Sequence, residues 1–305
     1  MPKTASPPVP AHLLRISDLD DRGIDCLLDL AARMKERPHA FVEELRGETL
    51  VCFFEKPSTR TRLSFAAAAE RLGLQPVVLG PADLQLGRGE TLEDTARTFA
   101  GYAAAIVVRT FAQETIERMA AVSRVPVVNA LTDDHHPCQA LADLLTLRER
   151  FGRLAGVRLA FVGDFSNVAV SLAEAAPLTG LEVTVSCPPG YERDVAGARV
   201  VHDPAEAVAG ADAVYTDVWV SMGEEEERQQ RFADLAPFQV DEALIERASP
   251  DAVFMHCLPA HRGEEVTAGV IDGPQSIVWQ QAENRLPTEE ALLLALVTRR
   301  WETWP

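Results

Sequence analysis

The 305-residue sequence predicts an α/β protein of two domains, each a parallel β-sheet flanked by helices. Three observations carry this. Short apolar runs alternate with helical patterns along nearly the whole chain. The runs are apolar at almost every position, as in strands covered on both faces. The alternation also falls into two sets, punctuated by Phe151-Gly-Arg-Leu-Ala-Gly156, and the length suits two cores of roughly 150 residues each.

The first set opens with a strand over Leu50–Phe54 and a helix over Thr59–Leu72 that Gly73 stops. Pro76–Leu79 reads as a strand, Thr91–Tyr102 as a helix and Ala104–Val108 as a strand. Gln113–Val122 follows as a helix and Val125–Asn129 as a strand. Pro137 has no N–H to lose and a fixed φ, so it suits the first position of a long helix reaching Arg150. The second set has a strand over Val157–Val162 and a helix near Asn167–Leu178. Strands follow at Glu182–Ser186, Ala213–Thr216 and Ala252–His256. Leu286–Trp301 carries the pattern of a terminal amphipathic helix. The polar stretch Gly223–Arg231, with four acids at its start, is expected to be a mobile loop.

Composition narrows the function. With 47% hydrophobic and 25% charged residues the chain is globular, and at 6% aromatics its cores must rest on Ala, Val and Leu. The net charge of −17 sets up a field that repels nucleic acid and anionic membrane. A small anion held by a few local arginines stays admissible. The five cysteines (26, 52, 138, 187, 257) are odd in number and widely spaced, without C-x-x-C. Neither a disulfide framework nor a cysteine zinc site is expected, and a cytoplasmic location fits. Met1–His12 is Pro-rich without an apolar h-region, so no signal peptide is expected. No apolar run approaches the ~18 residues of a membrane span.

In open α/β sheets ligands sit beyond the C-terminal ends of strands, so those positions matter most. After the first strand comes Glu55-Lys56-Pro57-Ser58-Thr59-Arg60-Thr61-Arg62. Ser58 can cap the next helix, whose N-terminus, with Thr59, Arg60 and Thr61, would form an anion cradle. On this run alone, a capped helix with surface arginines is the stronger reading. After the third strand stands Arg109; after the fourth, Asn129 and then Asp133-Asp134-His135-His136-Pro137-Cys138-Gln139. The two histidines lack helical i,i+4 spacing, so metal is not expected. A neutral His136 and the Gln139 amide could instead polarise a carbonyl and orient an amide. In the second set, Gly163-Asp164-Phe165-Ser166-Asn167 stands where a dinucleotide site would carry G-x-G-x-x-G, and it does not. Asp217-Val-Trp-Val-Ser221-Met222-Gly223 and His256-Cys257-Leu258-Pro259 follow two further strands. Singly, Asp217 could cap a helix and Cys257 could be core; together these strand ends are harder to dismiss.

These motifs resemble the aspartate/ornithine carbamoyltransferase family, and its ornithine branch in particular. Ser58-Thr59-Arg60-Thr61-Arg62 and His136-Pro137-Cys138-Gln139 look like motifs shared by carbamoyltransferases generally. Ser221-Met222-Gly223 and His256-Cys257-Leu258-Pro259 look like the ornithine signature. Gln85-Leu-Gly-Arg-Gly-Glu90, Asp94-Thr-Ala-Arg97 and Gln281-Ala-Glu-Asn-Arg285 extend the resemblance from about Leu13 to the last helix.

The resemblance implies a carbamoyl phosphate domain (1–148, with the terminal helix 286–305 returning to it) and an ornithine domain (149–285). It implies carbamoyl transfer to L-ornithine without metal or organic cofactor, by trimers, or multiples of trimers, with interface active sites. Carried over, Ser58, Thr59, Arg60 and Thr61 would hold the phosphate, and Gln85 would reach a neighbouring subunit's phosphate. Arg109 and His136 would contact the carbonyl oxygen, and Gln139, Arg285 and the carbonyls of Cys257 and Leu258 the carbamoyl group. Asn167, Asp217, Ser221 and Met222 would bind ornithine, with Asp217 and Cys257 near its amine. Two positions depart from the family: Ala66 stands where it usually has Glu, and Ser166 where it usually has Asn. The nearest rival, an aspartate carbamoyltransferase, should show H-P-L-P at 256–259.

Overall fold

The structure, a computed structural model, describes residues 7–86, 89–220 and 227–301. The chain divides into two compact units, 1–145 with 284–305, and 146–283.

The first unit starts with α1 (Asp21–Glu36), which sequence reading passed over although Ile24, Leu27, Leu28 and Ala31 repeat at helical spacing on its buried face. The Asp20 carboxylate caps it, accepting the Gly23 N–H at 2.6 Å. Then come β1 (Thr49–Phe54), α2 (Arg60–Arg71), β2 (Gln75–Leu79), α3 (Leu92–Tyr102), β3 (Ala105–Arg109), α4 (Gln113–Val122), β4 (Val127–Leu131) and α5 (Pro137–Phe151). The strands form one parallel sheet in the order β2-β1-β3-β4. Gly73 closes α2 at φ +82°, and a Cβ there would lie 2.3 Å from the Val42 carbonyl oxygen, so only glycine fits. β4 begins two residues later than its apolar run. Pro126 has no N–H for the ladder, and only its carbonyl joins, accepting from Ile106 at 2.9 Å. Leu13 pairs with Val128 in parallel and covers that edge.

The second unit carries β5 (Arg158–Val162), α6 (Asn167–Thr179), β6 (Glu182–Ser186), β7 (Ala198–Val201), α7 (Pro204–Val208), β8 (Ala213–Thr216), α8 (Arg228–Leu235), α9 (Glu242–Ile245), β9 (Val253–His256), α10 (Ala268–Ile271) and α11 (Val278–Glu283). Its five strands are parallel in the order β7-β6-β5-β8-β9. The half-exposed edge strand β7 and the one-turn helices are too short to leave a periodic signal. One expectation is corrected: residues 228–231 of the supposed mobile stretch lie in α8, and the Arg231 side chain is buried. Residues 221–226, including Ser221 and Met222, lie outside the described residues.

The last helix, α12 (Arg285–Thr298), packs on α1 and α2 of the first unit. It is not amphipathic, as its sequence suggested: every side chain from Pro287 to Leu296 is buried, Glu289 and Glu290 included. Its acids are paired instead, Glu289 with Arg285 and Glu290 with Arg71. Among the described residues no helix is long and apolar enough to cross a membrane.

In both sheets the strand order reverses once, between β1 and β3 and between β5 and β8. Such reversals splay the following connections apart and open a crevice at the strand ends.

Candidate active site

At the first reversal, Phe54 and Arg109 are register partners, so the segments leaving β1 and β3 start level. Glu55 ties them together: its N–H donates to the Arg109 carbonyl at 2.8 Å, and its carboxylate accepts the Thr110 hydroxyl. Lys56 turns away to Asp133 and lies 4.4 Å over the Phe111 ring. Ser58 caps α2 as expected, its Oγ accepting the Thr61 N–H at 3.2 Å. Thr59 and Arg60 are exposed at that helix mouth, and Thr61 is buried. Gln85 is exposed. Asn129, a strand-end candidate, lies within β4; its amide holds the Leu14 carbonyl at 2.8 Å, a structural task.

At the mouth of α5, the His136 carbonyl accepts the N–H groups of Gln139 and Ala140 at 3.1 and 3.2 Å, which starts the helix. His136, Gln139, Arg109 and Arg285 are all buried. Burial, then the positive charges of Arg285 and Arg109, hold the His136 imidazole well below the usual histidine range, so it is neutral at pH 7. Arg285 donates from Nη1 to Gln139 Oε1 at 2.9 Å, and from Nη2 and Nε to Glu289 Oε1 at 2.6 and 3.1 Å. Gln139 donates from Nε2 to Asp143 Oδ1 at 2.8 Å. The chain Asp143–Gln139–Arg285–Glu289 fixes which way the Gln139 amide faces. The guanidinium in turn is pinned between an amide and a carboxylate.

In the second unit, the ends of β5, β8 and β9 converge on Asp217. Its carboxylate accepts the Ser166 hydroxyl at 3.2 Å, the Cys257 thiol at 3.0 Å and the Val218 N–H at 2.8 Å. Ser166, noted only as a departure from a family pattern, therefore has a defined partner. Asn167 is half-buried at the first position of α6. The His256–Pro259 turn is built around one imidazole. His256 Nδ1 accepts the Leu258 N–H at 2.8 Å, which leaves Nε2 to donate to Glu265 Oε1 at 3.2 Å. Leu258 has φ +57°, uncommon for a branched residue, and this redirects its backbone beside Cys257. Gln281 receives the His256 N–H at 2.9 Å and donates to the Tyr215 hydroxyl at 2.9 Å.

Behind Asp217, Arg231 donates to the Trp219 carbonyl at 2.6 Å and to Asp164 at 2.5 Å. Burial pushes the Asp164 carboxyl up, and Arg231 opposes that rise.

The residues that sequence reasoning missed are Asp143, Glu289, Glu265 and Arg231. All are charged side chains buried by tertiary contacts. Only the i,i+4 spacings Gln139–Asp143 and Arg285–Glu289 could have pointed to two of them.

Two family models match the chain. The carbamoyl-P binding domain of aspartate/ornithine carbamoyltransferase matches residues 11–149, and the Asp/Orn binding domain matches residues 155–296. The ornithine carbamoyltransferase of Parafrankia sp. (strain EAN1pec) is 52% identical, over 94% of this chain and 96% of that protein. Among solved structures, ornithine carbamoyltransferase from Thermus thermophilus is similar at TM-score 0.89 and 45% identity, covering 94% of this chain and 99% of that one. The Pyrococcus furiosus ornithine carbamoyltransferase is similar at TM-score 0.89 and 44% identity, covering 96% and 98%. With both models matched over nearly the whole chain, and relatives at this identity, the protein belongs to the aspartate/ornithine carbamoyltransferase family.

Proposed function

We propose that this protein transfers the carbamoyl group of carbamoyl phosphate to the δ-amine of L-ornithine, giving L-citrulline and phosphate, in arginine- or urea-type metabolism. The observation that carries the ornithine reading is the Cys257–Asp217–Ser166 cluster at the ends of β9, β8 and β5. An aspartate-specific H-P-L-P turn would put proline in place of Cys257 and could not donate to that carboxylate. An anionic acceptor would also be repelled by Asp217, whereas a cationic diamino acid is drawn to it.

The phosphate is held by Ser58, Thr59, Arg60 and Thr61. The helix dipole contributes only ~1 kcal/mol there, so the Arg60 guanidinium supplies most of the attraction. Arg109 bridges phosphate and carbonyl oxygen, and the neutral His136 donates to that oxygen without adding charge. As the tetrahedral intermediate forms, Arg109, Thr61 and His136 meet the developing oxyanion, where one donor is worth about 3–4 kcal/mol. Gln139, oriented by Asp143 and Arg285, and the carbonyls of Cys257 and Leu258 hold the carbamoyl amide.

Asn167, Asp217, Ser221 and Met222 bind ornithine. An alkyl amine at pH 7 lies roughly 3.4 units below its pKa, so freeing its lone pair costs about 5 kcal/mol. Desolvation lowers that cost. Asp217, whose charge favours the ammonium, acts first as an orienter of the amine and then as proton acceptor, with the Cys257 thiol alongside. No step needs a metal or organic cofactor.

The protein works as a cytoplasmic homotrimer, or a multiple of one, in which the exposed Gln85 reaches the phosphate of a neighbouring subunit. The test measures citrulline and phosphate release with ornithine, acetylornithine, putrescine and aspartate as acceptors. Turnover with ornithine alone supports the reading; preference for any other acceptor replaces it.

A further inference from the structure

Just beyond the His256–Pro259 turn, three potential ligands crowd together outside the carbamoyl-transfer machinery. The ligand atoms of His261, Glu264 and Glu265 all lie within 4.8 Å of one another. His261 Nδ1 stands 3.7 Å from Glu264 Oε2 and 3.7 Å from Glu265 Oε2, too far for hydrogen bonds. A turn holds them in place, with Glu264 N–H on the His261 carbonyl at 2.9 Å and Gly263 N–H on the Val266 carbonyl at 2.8 Å.

Glu265 is fully buried. One of its oxygens, Oε1, takes the His261 N–H at 2.6 Å and faces His256 Nε2 at 3.2 Å. The other, Oε2, is buried with no hydrogen-bond partner among the described residues, and it faces the His261 ring. A buried carboxylate oxygen left in that state is costly unless a cation meets it.

We propose that His261, Glu264 and Glu265 form a binding site for a divalent transition-metal cation of the zinc class. The spacing selects the geometry. Bonds of about 2.1 Å at tetrahedral angles put ligand atoms roughly 3.4 Å apart, and octahedral cis ligands roughly 3.0 Å apart. The two His261–carboxylate distances of 3.7 Å each need a closure of only about 0.3 Å for the tetrahedral case, and the two carboxylate oxygens lie within 4.8 Å of each other. The His261 side chain is half-exposed, so the ion has an entry path and a place for water as fourth ligand.

The site touches the amino-acid half of the protein at two points. Glu265 leads through His256 to the Leu258 N–H, and Glu264 Oε1 lies 3.4 Å from Arg228 of α8. A bound cation would therefore stiffen the 256–259 turn from behind without meeting substrate. This inference is independent of the carbamoyl chemistry.

The competing cluster is Asp217, His256 and Cys257, which could also gather a metal. Cobalt(II) separates the two, because thiolate ligation produces a sulfur-to-cobalt charge-transfer band and nitrogen–oxygen ligation does not. The metal-free full-length protein is titrated with Co2+ by absorption and with Zn2+ by calorimetry. The expected result is one site per chain without the charge-transfer band. It should be unaffected by Cys257→Ser and weakened on the order of tenfold or more by His261→Ala and by Glu264→Gln. Circular dichroism confirms that both variants fold. Absence of binding, a charge-transfer band lost in Cys257→Ser, or unchanged binding in His261→Ala would overturn the assignment.

Discussion

Replacing Glu290 with Gln shows how the buried terminal helix responds to pH. The Glu290 side chain is 1% exposed, and its partner Arg71 lies 3.4 Å away and 29% exposed. Burial pushes the Glu290 carboxyl from 4.5 up to about 7, with Arg71 opposing the rise. Between those values the folded chain keeps a proton that the unfolded chain has lost. Stability contributed at low pH is therefore lost as pH rises through that interval. At 1.36 kcal/mol per unit, the loss is about 3 kcal/mol by pH 8. Gln does not titrate, and it forfeits an ion pair with the partly exposed Arg71, worth about 1 kcal/mol.

Glu290→Gln should then match the parent at pH 5 and exceed it by about 2 kcal/mol at pH 8. Hydrogen exchange of the α12 amides reads this directly, because these buried amides exchange only when the first unit opens. Corrected for intrinsic rates, exchange at pH 8 should slow by about 30-fold in the variant. Equal protection of the two proteins at pH 8, or the same difference at both pH values, would refute the reasoning.

The remaining predictions concern the candidate site. Arg60→Ala and Arg109→Ala should each lower kcat/KM by about 10²–10³ with an unchanged circular dichroism spectrum, and near-parental citrulline formation by either would remove it from the site. Nitrogen-15 shifts of His136 should report a neutral imidazole at pH 7, since burial and two guanidiniums depress its titration; a protonated ring there would contradict the proposed donor. Asp143→Leu should lower kcat about tenfold through a misdirected Gln139 amide, leaving the KM for ornithine in place. Asp143→Asn, which still offers an oxygen, should restore kcat; no rescue would mean that Asp143 acts on stability alone.

The parallel sheets and the strand-end residues were legible in the sequence because a parallel strand is apolar to its end. Arg109 and Asp217 stand out as the first polar groups after such runs. Ser58 and Pro137 announced their helix starts for local reasons: a hydroxyl that caps and a ring that needs no N–H. What the sequence concealed is burial by distant chain. Leu286–Trp301 read as an amphipathic helix, yet α1 and α2 enclose α12 and turn Glu289 and Glu290 into core acids. Asp143 and Glu265 were passed over for the same reason. Arg231 read as part of a loop, because the Asp164 carboxylate and Trp219 carbonyl that fix it lie more than ten residues earlier.

The most direct measurement follows the carbonyl carbon itself. Carbamoyl phosphate labelled with carbon-13 is mixed with the protein and L-ornithine, and the label is located by NMR. Label in a ureido carbon bonded to the ornithine δ-nitrogen, with stoichiometric phosphate, is the predicted result. Label found only in the spontaneous breakdown products of carbamoyl phosphate, at the rate seen without protein, would contradict the account.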